Sequence, residues 1–252
     1  MIWSDKGVTV TVPDQKALLD DLADRFERGV GFSVATLNLD HVVKLARNPN
    51  FDKAYHAHTH VTADGNPIVW LSRLARQDVS LIPGSELIEP LIAVAAARNV
   101  PVALFGATEE SLEAAAAELR HRFPQLDIVL CRAPAMGFDP SSDAATDDID
   151  AIAASGARLC FLALGAPKQE IFAARAFAAL PQTGFVSIGA GLDFISGSQR
   201  RAPAWVRAVA AEWLWRLIGN PSRLAARYAS CIGILPRLFL SALSARRQAG
   251  SS

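Results

Sequence analysis

The sequence predicts an α/β protein: a mostly parallel sheet with helices on both faces, a small N-terminal α+β part and a helical C-terminal appendage. Three observations carry this. From residue 100 onward, short apolar runs at 102–105, 128–131, 159–164 and 185–188 alternate with helix-length segments. The runs are continuously apolar rather than alternating, as in strands covered on both faces. Each run ends in Gly106, Gly165, Gly189 or the Pro/Gly-rich loop from Arg132, and strand–turn–helix repetition of this kind builds a parallel sheet.

The elements follow in order. Residues 7–12 alternate as a short strand. Pro13-Asp14 opens a helix through Arg28, with Leu18, Leu19, Leu22 and Phe26 spaced for one face. Residues 32–37 read as a strand, and Asn38 is placed to cap a helix from Leu39. Further helices are expected over 51–58, from Pro67, over 84–98, over 108–123, over 147–155 and from Pro167. No internal repeat or low-complexity linker interrupts the series.

A chain of 252 residues suits one domain, or one with an appendage. Net charge is zero, yet residues 200–252 hold nine Arg, no Lys and one acid, Glu212, for +8, so residues 1–199 carry −8. The expected division is therefore an α/β catalytic domain over 1–199 and a basic helical membrane- and acceptor-binding appendage over 200–252. In that appendage Trp205, Val209, Trp213 and Leu217 share one side of a helix, and Pro221 starts another bearing Arg223 and Arg227. Arginines opposite Trp and Leu suit an anionic lipid surface. A duplex nucleic acid is not an expected partner, because the body is acidic. Cys131, Cys160 and Cys231 are far apart and odd in number, so reduced thiols are expected. Residues 1–14 lack the basic start and apolar block of a signal peptide. No apolar run reaches the ~20 residues of a membrane span; the nearest, 229–243, is interrupted by Pro236-Arg237.

Dinucleotide, P-loop and nucleophile-elbow signatures are absent. Polar residues gather instead where strands end: Thr36, Asn38, Asp64, Lys168-Gln169-Glu170 and Asp193. Ligands of parallel sheets sit at those carboxyl ends. Asp64-Gly65 reads equally as a turn, in which Gly supplies positive φ, or as a general base. Thr36 and Asn38 read as caps or as pocket residues. A lysine and an amide in the first helical turn fit either solvent or an anion. His56, His58 and His60 would share a strand face, but no Cys or carboxylate cluster completes a metal shell, and a polar surface turn is the preferred reading.

The order of short stretches resembles the WecG/TagA/CpsF glycosyltransferase family from about residue 30 to 230. The stretches are Thr36-Leu37-Asn38 with Asp40-His41; Ala63-Asp64-Gly65 with Pro67-Ile68-Val69-Trp70; Pro83-Gly84-Ser85; and Leu104-Phe105-Gly106. Leu164 to Glu170, Gly189 to Phe194 with Gly197, Arg201-Ala202-Pro203, Trp205, Glu212-Trp213-Leu214, Arg216-Leu217, Pro221, Arg223 and Arg227-Tyr228 continue the series. The resemblance implies an inverting, metal-independent enzyme with no cofactor. It would move a sugar from a UDP-sugar to a polyprenyl-diphosphate-linked acceptor at the cytoplasmic face of the inner membrane, in exopolysaccharide or related cell-surface synthesis. Asp64 matches the family's catalytic base. Thr36, Asn38 and Gln169 match substrate-handling residues, with Lys168, Glu170 and Asp193 completing the expected substrate-binding set. Arg216, Arg223 and Arg227 match tail arginines assigned to the acceptor diphosphate. The family commonly has Arg where this chain has Leu81, leaving Arg73 or Arg76 to replace that contact, or else a non-catalytic nucleotide-sugar or polyisoprenoid-binding protein. Donor sugar and homo-oligomerisation stay open.

Overall fold

The computed structural model describes residues 7–199, 202, 203, 206, 212–219 and 221–248. Among these residues six strands form one sheet: β1 (Phe32–Leu37), β2 (His60–Ala63), β3 (Val102–Gly106), β4 (Ile128–Arg132), β5 (Leu159–Ala163) and β6 (Gly184–Ser187). Their spatial order is β2-β1-β6-β5-β3-β4, and every pairing is parallel.

Among the described residues nine helices wind through the body: α1 (Gln15–Arg28), α2 (Leu39–Leu45), α3 (Pro49–Ala57), α4 (Asn66–Leu74), α5 (Gly84–Ala97), α6 (Glu109–Arg122), α7 (Asp143–Ala154), α8 (Lys168–Ala179) and α9 (Gly191–Ile195). The tail adds α10 (Glu212–Gly219) and α11 (Pro221–Gln248). Strand side chains alternate between two cores, as the pleat requires. Val34, Leu104, Phe161 and Val186 meet α1, α5, α6 and α9. Ala35 and Leu37 meet α2, α3 and α4, while Phe105, Leu162 and Phe185 meet α7 and α8. Burial on both faces explains the unbroken apolar runs.

Local signals explain most helix starts. Asp14, Asn38, Asn48, Thr108 and Ser142 each accept a backbone N–H from the first turn of the helix that follows. Gly84 has a different reason. A Cβ there would stand 2.5 Å from the Ser187 carbonyl oxygen, so only glycine lets α5 begin against the end of β6.

Two expectations are corrected. Residues 7–12 form no strand; Thr11 and Val12 instead direct their N–H groups to the Val61 carbonyl. With the Ala63–Leu81 bridge, this extended segment covers the outer edge of β2. β2 has no counterpart among the strands expected from the sequence. It is four residues long, opens on His60 and alternates too briefly to stand out.

The tail gives the third correction. Pro236 does not end a helix: α11 runs unbroken from Pro221 to Gln248. Leu238 and Ala242 are buried in the core shared with β1 and β2, and packing of this kind holds a helix through an unfavourable residue. Leu224–Gln248 is consequently long and apolar enough to cross a membrane, and only 17% of its most apolar stretch is buried.

Candidate active site

Register builds the centre of the site. Leu37 pairs with Ala63, so the chain leaves β1 at Asn38 and β2 at Asp64 side by side. The Asp64 N–H donates to the Leu37 carbonyl at 2.8 Å. The Asn38 side chain then has two tasks. Its Oδ1 accepts the His41 N–H at 3.1 Å as the cap of α2, which fixes the amide orientation. Its Nδ2 donates to Asp64 Oδ2 at 3.3 Å. Gly65 follows with φ 105° and turns the chain into α4. The half-buried Asp64 thus sits at the sheet's carboxyl edge with one oxygen oriented by an amide.

Beneath this pair lies a buried polar layer. Thr36 is buried, and its carbonyl accepts the Tyr55 hydroxyl at 3.0 Å. Tyr55 Oη also lies 2.6 Å from His41 Nδ1. Because the hydroxyl proton is committed to Thr36, His41 is the donor in that contact and carries its proton on Nδ1. Burial lowers His41 to about 3 and raises the Tyr55 phenol well above its ordinary value. Both are therefore neutral near pH 7.

The three histidines of 56–60 share no face. The chain passes from α3 into β2 there, and each ring goes its own way. His56 Nδ1 meets the Asp52 carbonyl, buried His58 meets Ser33 Oγ at 2.9 Å, and His60 Nε2 meets Asp21 at 2.9 Å. Burial lowers His58 to about 4. The surface-turn reading is thus wrong for His58. Among the described residues no three metal-ligating side chains converge.

Around β5 and β6 the predicted substrate residues separate. Gln169 is buried, and its Oε1 accepts from Gly165 N at 3.3 Å and Gly189 N at 3.1 Å. It ties together the loops leaving β5 and β6. Its Nε2 donates to Glu170 Oε1 at 2.8 Å. Burial raises the Glu170 carboxyl to about 7, against the lowering influence of Gln169 and Lys44. Lys168 is exposed. Asp193 accepts from Ser111 Oγ at 2.9 Å and Gln199 Nε2 at 2.7 Å, which fastens α9 to α6.

Arg227 reaches back from α11. Its Nη2 lies 3.1 Å from Asp40 Oδ2, which Lys44 Nζ also approaches at 2.7 Å. Lys44 in turn donates to the Ala166 carbonyl at 3.0 Å, in the loop before Gln169. The side chains of Arg216 and Arg223 lie outside the described residues, as do Arg201, Trp205 and Val209. Trp213 packs edge-on against Tyr228 with ring centres 5.8 Å apart. Trp213, Leu214, Trp215 and Ile218 of α10 are exposed, as are Ile232, Phe239 and Leu240 of α11 and Trp70 of α4.

The sequence model of the glycosyl transferase WecG/TagA/CpsF family matches residues 4–251. The chain belongs to this family. Membership makes the protein a glycosyltransferase of membrane-linked polysaccharide synthesis, with a nucleotide-sugar donor and a lipid-linked acceptor in general terms. Leu81 pairs with Ala63, one residue before Asp64, and is exposed. Position 81 therefore stands beside the candidate base. Arg73 stands about 10 Å along α4 from the helix's first residue, Asn66, by helix rise, and Arg76 lies beyond the end of that helix. Asp40, Lys44 and Tyr55 are joined to the site by the fold alone. The i, i+4 spacing of Asp40 and Lys44 was the available signal; Tyr55 carried none.

Proposed function

We propose that this WecG/TagA/CpsF protein is an inverting glycosyltransferase that moves a sugar from a UDP-sugar to a polyprenyl-diphosphate-linked saccharide. The observation that carries the reading is the Asn38–Asp64 pair at the carboxyl edge, where β1, β2 and Leu81 come abreast. Asp64 takes the proton of the acceptor hydroxyl as that oxygen attacks the anomeric carbon. The bond from that carbon to the diphosphate breaks with inversion, and UDP leaves with the electron pair. Thr36 and the glycine start of α5 stand near that edge, and backbone N–H groups at a helix start suit a departing diphosphate. Gln169 acts by holding the Gly165 and Gly189 loops that frame the pocket. Lys168 and Asp193 are the remaining substrate-side residues of this scheme, while buried Glu170 acts only through Gln169, whose amide it accepts. No divalent metal is required in this scheme.

Arg216, Arg223 and Arg227 belong to the acceptor diphosphate, which guanidinium groups bind in a fork. The exposed Trp and Leu surface of α10 and α11 supports a peripheral seat on the cytoplasmic face of the inner membrane. Packing of Leu238 and Ala242 on the body favours α11 lying beside the domain rather than spanning. On this reading residues 1–199 are catalytic and 200–252 bind membrane and acceptor.

The test is a donor panel with purified protein, a short-chain lipid diphosphate acceptor and a set of UDP-sugars. UDP release and the anomeric configuration of the product are measured, with and without EDTA. Transfer with inversion, unaffected by EDTA, is expected. Binding of donor with no release from any UDP-sugar would favour a non-catalytic binding protein, the reading that Leu81 motivates.

A further inference from the structure

Lys44 stands where three parts of the chain meet. Its ammonium lies 2.7 Å from Asp40 Oδ2, one turn earlier on α2, and donates to the Ala166 carbonyl at 3.0 Å in the loop between β5 and α8. The same Asp40 oxygen lies 3.1 Å from Arg227 Nη2 of α11, which packs on α2. Asp40 is buried, so one carboxylate out of water is shared by a cation of the body and a cation of the tail. The loop that Lys44 holds borders the candidate site. Gly165, at φ 72°, has no atom beyond its chain neighbours within 4 Å of where a Cβ would stand, so it faces open space. Its N–H donates to Gln169 Oε1, which also takes the Gly189 N–H. No side chain caps α8 at Pro167, and Lys44 pins the residue between Gly165 and Pro167 from a different helix. The charges of Lys44 and Asp40 also act, in opposite directions, on the Glu170 carboxyl that accepts the Gln169 amide.

We infer that Lys44 is a positioning residue of the transfer reaction, coupling the seat of α11 to the active-site loop at 165–167. With α11 in place, Arg227 and Lys44 divide the Asp40 charge, and the Lys44 ammonium keeps an N–H on the Ala166 carbonyl. Without Arg227 the buried carboxylate falls to Lys44 alone, which draws the ammonium toward Asp40 and away from the loop. The place of Lys44 in the reaction rests on the function proposed above, whereas its tie between tail and loop stands apart from it.

The test is backbone hydrogen exchange of the full chain, read at the Gly165 amide in wild type, Lys44→Met, Arg227→Gln, the double variant and Lys44→Arg. Lys44→Met keeps the apolar stem of a half-buried side chain and removes its charge. It should speed exchange at Gly165 roughly tenfold, the scale of one charge-assisted hydrogen bond. Arg227→Gln should speed it several-fold, and the double variant should be no faster than Lys44→Met, because the tail acts on the loop through Lys44. Lys44→Arg keeps the cationic donors and should restore protection. Exchange at Leu104, buried in β3, should hold in every variant, which separates loosening of the loop from loosening of the fold. With a donor that the wild type uses, Lys44→Met should lower kcat/KM roughly tenfold and Lys44→Arg should recover it. The exchange pattern without transfer from any UDP-sugar in the wild type would uphold the tie and remove the transferase reading. Unchanged exchange at Gly165 in Lys44→Met, or loosening there that Arg227→Gln does not reproduce, overturns the inference, as does an unchanged kcat/KM in an active enzyme.

Discussion

At the carboxyl edge of the sheet, Asn38 and Asp64 are held by strand register, by a helix cap and by a buried layer of Thr36, Tyr55 and His41. Along α10 and α11 the arrangement is reversed. Leu238 and Ala242 anchor one side of α11, while Trp213, Trp215, Ile218, Phe239 and Leu240 face outward. One region spends its side chains on fixing a carboxylate; the other leaves apolar area uncovered. Catalytic geometry needs the first, because a misplaced base loses rate steeply. A surface partner needs the second, because contiguous exposed apolar area marks a docking face.

Changes at the edge should therefore alter turnover at nearly constant membrane binding, and changes to the outward apolar side chains of the tail should alter membrane binding first. The largest effect is expected from Asp64→Asn. It should lower turnover by about 10²-fold or more while donor affinity and thermal stability hold; near-normal turnover would remove Asp64 from the role of base.

Asn38→Ala comes next. It should cost about 1 kcal/mol through loss of the α2 cap and roughly 10- to 100-fold in turnover through misorientation of Asp64. Asn38→Asp separates the two tasks. It restores the cap, and with it the melting temperature, but sets a like charge beside Asp64 and should not restore rate. Recovery of both would show that the Nδ2 contact is irrelevant.

On the tail, Trp213, Trp215, Phe239 and Leu240 changed together to Ser should reduce sedimentation with anionic liposomes by an order of magnitude or more, given ~1.5–3 kcal/mol per buried apolar side chain. Body stability should be unaffected. This is cleaner than deleting 200–252, because α11 covers apolar surface of α2 and α4. Sedimentation equal to wild type would end the membrane reading of these helices.

A smaller effect concerns Glu170. Its folded carboxyl is raised to about 7, so between its ordinary value and 7 the native state holds the extra proton. Stability from this group thus falls as pH rises through that window and stays low above it. His41 and His58, lowered to about 3 and about 4, act oppositely: their contribution is present above the ordinary histidine value and is lost as pH falls. Glu170→Gln keeps an acceptor for Gln169 and should raise the melting temperature at pH 8 more than at pH 5, by roughly 2–4 °C per kcal/mol gained. An equal change at both pH values would mean that Glu170 does not titrate in this way.

The smallest expected effect is a gain. Leu81→Arg should lower the donor KM a few-fold by placing a cation beside the edge, and no change would make that departure from the family pattern neutral.

Asp14, Asn38 and Thr108 announce their helices locally, because a cap is a contact between residues three apart. The runs at β1, β3, β5 and β6 were legible for a similar reason: burial on both faces leaves a continuous apolar signature. β2 has only four residues and begins with a histidine, so it left no such mark. Asp64 was legible as a candidate through its motif, whereas its contact with Asn38 was not, since 26 residues separate them.

By itself the sequence determined the class of fold, the order of the body's helices, though the helices expected over 51–58 and 147–155 begin at Pro49 and Asp143, the acidic body with its arginine tail, and the residue types gathered at strand ends. All of these are local patterns or sums over the chain. Only the tertiary structure decided which strand neighbours which, that His56, His58 and His60 part company, that Gln169 braces two loops, that Pro236 lies within a helix, and that Asp40 joins Lys44 to Arg227. Such contacts join residues far apart in the chain. They depend on sheet order and on which surfaces must be buried, which no short stretch of sequence records.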